Sequence, residues 1–383
     1  MKFIHAADLH LGSAIGVPTF GETKPALALW NAFDRLIEAC LSEAVDFILF
    51  AGDTFDSERV SQQDRKKFSD CLGRLSAAQI PVYLIHGNHD PLTAEFAFLE
   101  SIEGLHVCTA DKAVTFELKN LGVAIHGQSF HKGPIDQNLS LAYPAALEGC
   151  YNIGMLHTSL SVDGDHARYA PCSLADLTAK NYDYWALGHI HTARVFNTAP
   201  WVGFCGNIQG RNVKEQGAKG VNLVLVEDGT TIVELLDLAQ FEYEILKLKL
   251  SEDDTFETVK SQAVAMIDAA QADKALVYRL VVSCPTNLFV SLQQKQQELL
   301  EGVRIDSIKI GTGSAYLKDL RFYQYDLPEA LNLPFDIDFD LRDNLFDDLS
   351  KSFSSHSLSI PELDPEELKD FVLADLSVLE VEK

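Results

Sequence analysis

Five short apolar runs within the first 190 residues each stop abruptly on aspartate, asparagine or histidine, and this recurrence constrains the chain more than any other feature. The run at 3–6 is followed by Asp8 and His10, that at 47–50 by Gly52, Asp53 and Asp56, and that at 82–85 by Gly87, Asn88, His89 and Asp90. A run ending at Leu156 meets His157, and one at 184–187 meets Gly188, His189 and His191. Between the first three lie amphipathic helical windows. The one at 26–44 carries Leu29, Phe33, Leu36, Ile37, Cys40 and Leu41 on one face. The one at 61–77 opens on Ser61, a suitable cap. Strand alternating with helix implies a parallel sheet with crossover helices, and the carboxyl ends of such strands form the edge where ligands bind.

After residue 105 the pattern becomes strand-rich, with runs at 114–118, 123–126, 151–155, 184–187, 193–196, 221–227 and 231–236. Asp228-Gly229 between the last two is a hairpin turn signal. The expected fold class is therefore α/β, two sheets packed face to face with helices outside. A boundary is expected near residue 240. Beyond it, strands at 243–250, 276–282 and 304–310 and helices at 254–270 and 288–300 would make a small α/β module over 241–325. Residues 326–383 read as an acidic tail whose Phe335, Phe339, Leu345, Phe346 and Leu349 suit docking to a partner.

With 47% hydrophobic and 23% charged residues in 383, the composition is that of a folded chain, and no run approaches the ~18 apolar residues of a membrane span. The first residues enter a strand without the apolar stretch and cleavage site of a signal peptide, so a cytoplasmic location is expected. Seven scattered cysteines without a CxxC pair suggest reduced thiols in the interior. The net charge of −25 argues against DNA as a partner, because nonspecific DNA binding rests on cations. However, residues 326–383 carry 4 basic and 16 acidic residues, about half of that excess. Acidic metal ligands also count as negative until cations bind them.

Asp8, His10, Asp53, Asn88, His157, His189 and His191 are seven oxygen and imidazole donors without sulfur, which favours Mn²⁺, Fe²⁺ or Zn²⁺ over a thiolate site. Seven exceed the needs of one ion. Two divalent ions sharing a bridging carboxylate would use them all, and a pair about 3.5–4 Å apart suits in-line hydrolysis of a phosphate ester.

The ordered motifs Asp8-x-His10, Gly52-Asp53-x-x-Asp56, Gly87-Asn88-His89-Asp90, His157 and Gly188-His189-x-His191 resemble those of the calcineurin-like metallophosphoesterases. Within that superfamily the chain looks like the SbcD-type DNA repair exonucleases and their YhaO-like branch. This likeness rests on Asp8-Leu9-His10-Leu11-Gly12, Gly52-Asp53-Thr54-Phe55-Asp56 and residues 206–212, with Glu215 and the stretch 217–220. It covers residues 1–240 as the nuclease domain, and implies a capping domain at 241–325. It further implies one metal on Asp8, His10, Asp53 and His191, a second on Asp53, Asn88, His157 and His189, and Asp53 as the bridge. His89 would be the non-ligand histidine that stabilises or protonates the departing oxygen, with Asp90 orienting its ring. The nucleophile would be water activated by the metals, of which Mn²⁺ is the leading choice. Relatives of this type work with an SbcC-type coiled-coil ATPase and commonly pair as homodimers.

Other residues divide between two readings. Asp56 either supports the ligands or joins them. Arg211, between Gly206 and Gly210 and the acidic Glu215, either grips a substrate phosphate or forms a structural ion pair. His5 and His86 read as packing, and His126 as packing or part of the site's rim. Arg59, Arg65, Lys66, Lys67 and Arg74 form either a solvated helix face or a track for a DNA backbone. Three functions follow: a two-metal DNA nuclease, a phosphodiesterase for small phosphoesters, or a mainly structural subunit of a DNA-processing complex.

Overall fold

A computed structural model describes residues 1–160, 169–269, 274–309 and 315–324, all within one compact unit, Met1–Asp326. The acidic tail and its apolar residues lie outside the described residues. Strands β1 (Lys2–Ala6), β2 (Phe47–Ala51), β3 (Val82–Ile85) and β4 (Leu105–Val107) are mutually parallel. Helices α1 (Ala28–Ser42) and α2 (Gln62–Ala77) make the first two crossovers. The chain then builds a second sheet from β5 (Val114–Leu118), β6 (Val123–Gly127), β7 (Tyr151–His157), β8 (Tyr184–Gly188), β9 (Arg194–Thr198) and β10 (Trp201–Phe204), in the order β5-β6-β7-β8-β10-β9. Helix α3 (Leu174–Thr178) precedes β8. The chain returns to the first sheet with the hairpin β11 (Gly220–Glu227) and β12 (Thr230–Asp237), giving the order β12-β11-β1-β2-β3-β4. Asp228 and Gly229 at the turn both take positive φ, 49° and 76°, as a two-residue hairpin requires.

The middle strands of the first sheet are buried on both faces, and their sequence shows why. On β2, Phe47, Leu49 and Ala51 point between the sheets, while Ile48 and Phe50 join Phe33, Leu36 and Phe68 of the helices. A strand apolar at every position is the signature of such a central strand. Phe3 stacks on Phe47 with ring centroids 4.9 Å apart and meets Tyr184 of the facing sheet edge-on. Beyond the second sheet, Leu177 of α3 packs with Leu156, Trp185 and Leu187. The architecture is α/β, two sheets face to face with helices outside. All seven cysteines are free. Among the described residues no helix is long and apolar enough to cross a membrane.

The remaining described residues form a parallel sheet of β13 (Phe241–Lys249), β14 (Ala275–Cys284) and β15 (Ala315–Gln324), packed with α4 (Phe256–Ala269), α5 (Thr286–Gln294) and α6 (Gln296–Lys309). Two sequence expectations fail here. The helix expected at 288–300 is two helices, and residues 304–309 of the strand expected at 304–310 are the end of α6. The spacing of Val303 and Ile305 imitates strand alternation, but Leu299, Val303 and Ser307 are buried at helical spacing while Ile305 is 53% exposed. The third strand lies later, at β15. Strands β4 and β10 are likewise absent from the sequence expectations.

Burying a charge at Val303 should therefore cost ~3 kcal/mol or more in Val303→Asp, whereas Ile305→Asp should stay within ~0.5 kcal/mol of wild type. Urea unfolding followed by circular dichroism distinguishes this from a strand, in which both positions would share one face.

Candidate metal centre

Each motif residue sits at or just past the end of a strand, and neighbouring loops are tied together by main-chain bonds. The amides of Asp8, His10 and Leu11 donate to the carbonyls of Gly52, Asp53 and Thr54 at 3.1, 3.0 and 2.9 Å. Asp8, His10, Asp53 and His189 all adopt positive φ, at 51°, 44°, 49° and 111°. Such backbone costs ~1–3 kcal/mol per residue and persists only where its surroundings hold it. Of the nine non-glycine residues with positive φ among the described residues, these four belong to the donor set. Close approach is equally enforced at Gly87, where a Cβ would collide with the carboxylate and main chain of Asp53.

The side chains converge on a small volume. Asp8, His10 and His191 offer atoms within 4.8 Å of one another, as do Asp8, Asp53 and His157. Asp53 Oδ2 lies 3.8 Å from His10 Nε2 and 3.4 Å from His157 Nε2, between the two groups. Asn88 Oδ1 lies 3.0 Å from His157 Nε2 and 3.2 Å from His189 Nδ1. The main-chain amide of His189 donates to both Asp8 oxygens, at 3.1 and 3.0 Å.

The hydrogen bonds behind the histidine rings decide whether cations fit between them. His10 Nδ1 is 3.0 Å from Asp56 Oδ1, His191 Nδ1 is 2.9 Å from Glu215 Oε1, and His157 Nδ1 is 3.0 Å from the Ala51 carbonyl. These partners of His10 and His157 are acceptors, and at His191 the Glu215 carboxylate lies closer than the Arg211 Nη2 donor at 3.3 Å, so each Nδ1 carries the proton and each neutral ring presents an Nε2 lone pair. Those lone pairs meet only other electron-rich atoms. His10 Nε2 and His191 Nε2 face each other at 3.1 Å, and His157 Nε2 faces Asn88 and Asp53 oxygens. Buried lone pairs in mutual contact require positive charge between them, and this oxygen–imidazole set suits divalent ions. Asp8, His10, Asp53 and His191 would hold one, and Asp53, Asn88, His157 and His189 the other.

Without metal the charge comes from protons. Burial pulls the His157 pKa down, but the Asp53 carboxylate outweighs it and the pKa rises to about 9. Burial raises the Asp53 pKa, but His157, His10 and His89 together bring it well below the usual carboxylate range. The same paired charge that a cation would satisfy is thus present in the metal-free chain.

One functional assignment is corrected. Asp90 does not orient His89: its carboxylate accepts from the amides of Thr54, Phe55 and Gly87 at 2.9, 3.2 and 2.8 Å, pinning two loops together. His89 instead donates Nδ1 to the Asp56 carbonyl at 3.1 Å, and its amide donates to Asp53 Oδ1 at 2.9 Å. Its ring stands exposed beside His10, with centroids 4.7 Å apart, and one of its atoms lies within 4.8 Å of His10 and Asp53 donors. Of the two readings of Arg211, the ion pair is present: Nη1 donates to Asp56 Oδ1 at 2.7 Å, and Nη2 lies 3.6 Å from Glu215 Oε1. Asp56 supports His10 through Nδ1. Glu215, distinguished in the sequence only as part of a family stretch, touches His191; its spacing from the histidines carries no signal.

Elsewhere, His5 bonds Tyr184 and the Leu187 carbonyl, and His126 bonds Thr115 and Asn152, so both are packing residues. His86 bonds the Asp90 carbonyl at 2.6 Å. On α2, Arg65, Lys66, Lys67 and Arg74 pair with Glu95, Asp70, Asp34 and Glu38. This is a neutralised helix face.

Replacing Asp53 by Ala should drop bound metal from two ions per chain to less than one after equilibrium dialysis, measured by elemental analysis. In EDTA, the raised His157 pKa stabilises the fold fully below pH 6.5, and this contribution is lost as pH rises through about 9. The melting temperature of the metal-free wild type should therefore fall over that window relative to His157→Gln, and saturating divalent metal should abolish the difference.

A family model for calcineurin-like phosphoesterases matches residues 1–193. An uncharacterized metallophosphoesterase, YhaO of Bacillus subtilis, is 36% identical over 240 residues, covering 60% of this chain and 58% of that protein. A DNA double-strand break repair protein, Mre11 of Thermoplasma acidophilum, is 25% identical over 243 residues, covering 59% of this chain and 62% of that protein. The match thus spans less than two thirds of either relative. A dimetal phosphatase from Danio rerio superposes with a TM-score of 0.40 at 9% identity, over 62% of this chain and 96% of that one. With the family model spanning half of its length and the donor set in place, the chain belongs to the calcineurin-like phosphoesterase family.

Proposed function

We propose that this protein is a two-metal phosphodiesterase that cleaves DNA, an exonuclease and endonuclease of DNA repair, with Mn²⁺ as its working metal. The observation that carries this reading is the complete donor set around Asp53 with His89 exposed beside it, in a chain that aligns with a DNA double-strand break repair protein over 243 residues. Bound divalent ions supply a lowered water pKa and neutralise phosphate charge. The chain's own residues do the rest. Asp53, between the two donor groups, fixes their separation. His89 Nδ1 donates to the Asp56 carbonyl, and in the imidazolium form the second proton, on Nε2, is the one that passes to the departing oxygen, leaving the neutral ring. In the same proposal an SbcC-type coiled-coil ATPase is the partner, a homodimer the working form and the cytoplasm the setting.

A second reading, hydrolysis of small phosphodiesters, is favoured by the formal charge of −25 and by the acid-paired cations of α2. Both would weaken a nonspecific grip on DNA.

The deciding assay incubates the purified chain with end-labelled duplex and single-stranded DNA and with bis-p-nitrophenyl phosphate, in Mn²⁺ or EDTA. Mn²⁺-dependent degradation of DNA should appear and vanish in Asp53→Ala. His89→Ala should lose ~10²–10⁴-fold in rate with unchanged metal content. Cleavage of the small diester with DNA left intact, even with the ATPase added, would transfer the assignment to the second reading.

A further inference from the structure

The two donor groups are braced differently. Two ligands of the first group, His10 and His191, are oriented through Nδ1 by Asp56 and Glu215, and both of these carboxylates contact Arg211. Glu215 is buried and organises the loop between β10 and β11. Its Oε2 accepts from the Arg211 amide at 2.7 Å and from Asn207 Nδ2 at 2.8 Å, and Oε1 accepts from Asn212 Nδ2 at 3.2 Å. Lys219 Nζ, farther along, donates to the His191 carbonyl at 2.8 Å. The supports of the second group lie elsewhere: His157 rests on the Ala51 carbonyl in the first sheet, and Asn88 faces His157 and His189.

The loop that carries Arg211 and Glu215 is itself fastened to the third sheet. Tyr243 of β13 donates its hydroxyl to the Arg211 carbonyl at 3.1 Å, and the Gly217 amide donates to the Tyr243 carbonyl at 3.3 Å. Gln209 Nε2 donates to the Phe241 carbonyl at 3.0 Å, and its Oε1 accepts from the Gln240 amide at 2.7 Å. Gly210 lies so close that a Cβ there would be 2.8 Å from the Glu215 carbonyl oxygen and 3.1 Å from the Tyr243 ring. Hydrogen bonds and close packing thus tie β13 to the loop that carries the carboxylate orienting His191.

We infer that Glu215 and Arg211 are positioning residues for one metal only, the ion held by Asp8, His10, Asp53 and His191, and that β13 acts on that ion through Tyr243. Anything that shifts the third sheet would thereby alter one metal position and spare the other. The inference rests on the metal-centre reading and is independent of whether the substrate is DNA.

Titration of the metal-free protein with Co²⁺ tests it, following both calorimetric affinity and the visible absorption of the bound ion. His157→Ala should retain the first ion alone, and His10→Ala the second alone. Adding Glu215→Gln should weaken Co²⁺ binding ~10–100-fold in the His157→Ala background and change its absorption, with less than a ~3-fold effect in the His10→Ala background. Tyr243→Phe, which removes one hydroxyl, should act in the same direction but less strongly, and its melting temperature in EDTA should match that of its parent. Equal weakening in both backgrounds, or none in either, would overturn the inference. Failure of the unsubstituted chain to bind Co²⁺ at all would overturn the metal-centre reading with it.

Discussion

Everything in the centre is arranged around the need to keep one buried carboxylate charged. Asp53 is 1% exposed, and its charge survives there because imidazoles surround it and a main-chain amide donates to it. An isolated ionised carboxylate in such surroundings would take up a proton. The neighbouring rings avoid that outcome by bringing positive charge: with acceptors behind them holding a proton on Nδ1, their inward-facing Nε2 atoms take up a second proton, as at His157, or would bind a cation. The strained φ values at Asp8, His10, Asp53 and His189 follow from the same demand. Ordinary extended backbone would not turn side chains from separate strand ends into so small a volume, so the parallel sheet's rigidity offsets the local cost.

Much of this is legible in the order of the residues alone. Apolar runs that stop on Asp, Asn or His report both the strand ends and the donors, since strands buried on both faces leave polar residues nowhere else to go. The Asp228-Gly229 turn and the Ser61 cap are equally readable, because each depends on the residue's own backbone preference or side-chain oxygen. What is lost is information carried by the third dimension. Val303 and Ile305 fit strand alternation locally, and only packing on β15 and α4 shows that helical spacing prevails. Asp90 sits beside His89 in sequence, yet its carboxylate serves amides of another loop, which no spacing rule reveals. Glu215 lies 24 positions from His191, and only the fold of the loop between β10 and β11 brings the two together.

The charge of the molecule is best understood locally. A total of −25 predicts repulsion of polyanions at long range, but screening confines such fields to about 10 Å at 0.1 M salt. About half of the excess belongs to residues 326–383. The acids paired with the cations of α2 neutralise a helix that a count of Lys and Arg alone would make a DNA track. At the centre itself, the formal negative charge of Asp8 and Asp53 belongs to the donor set that cations would occupy. Net charge therefore bears on how fast a phosphate ester arrives, whereas the inward-facing lone pairs determine what can be done to it there.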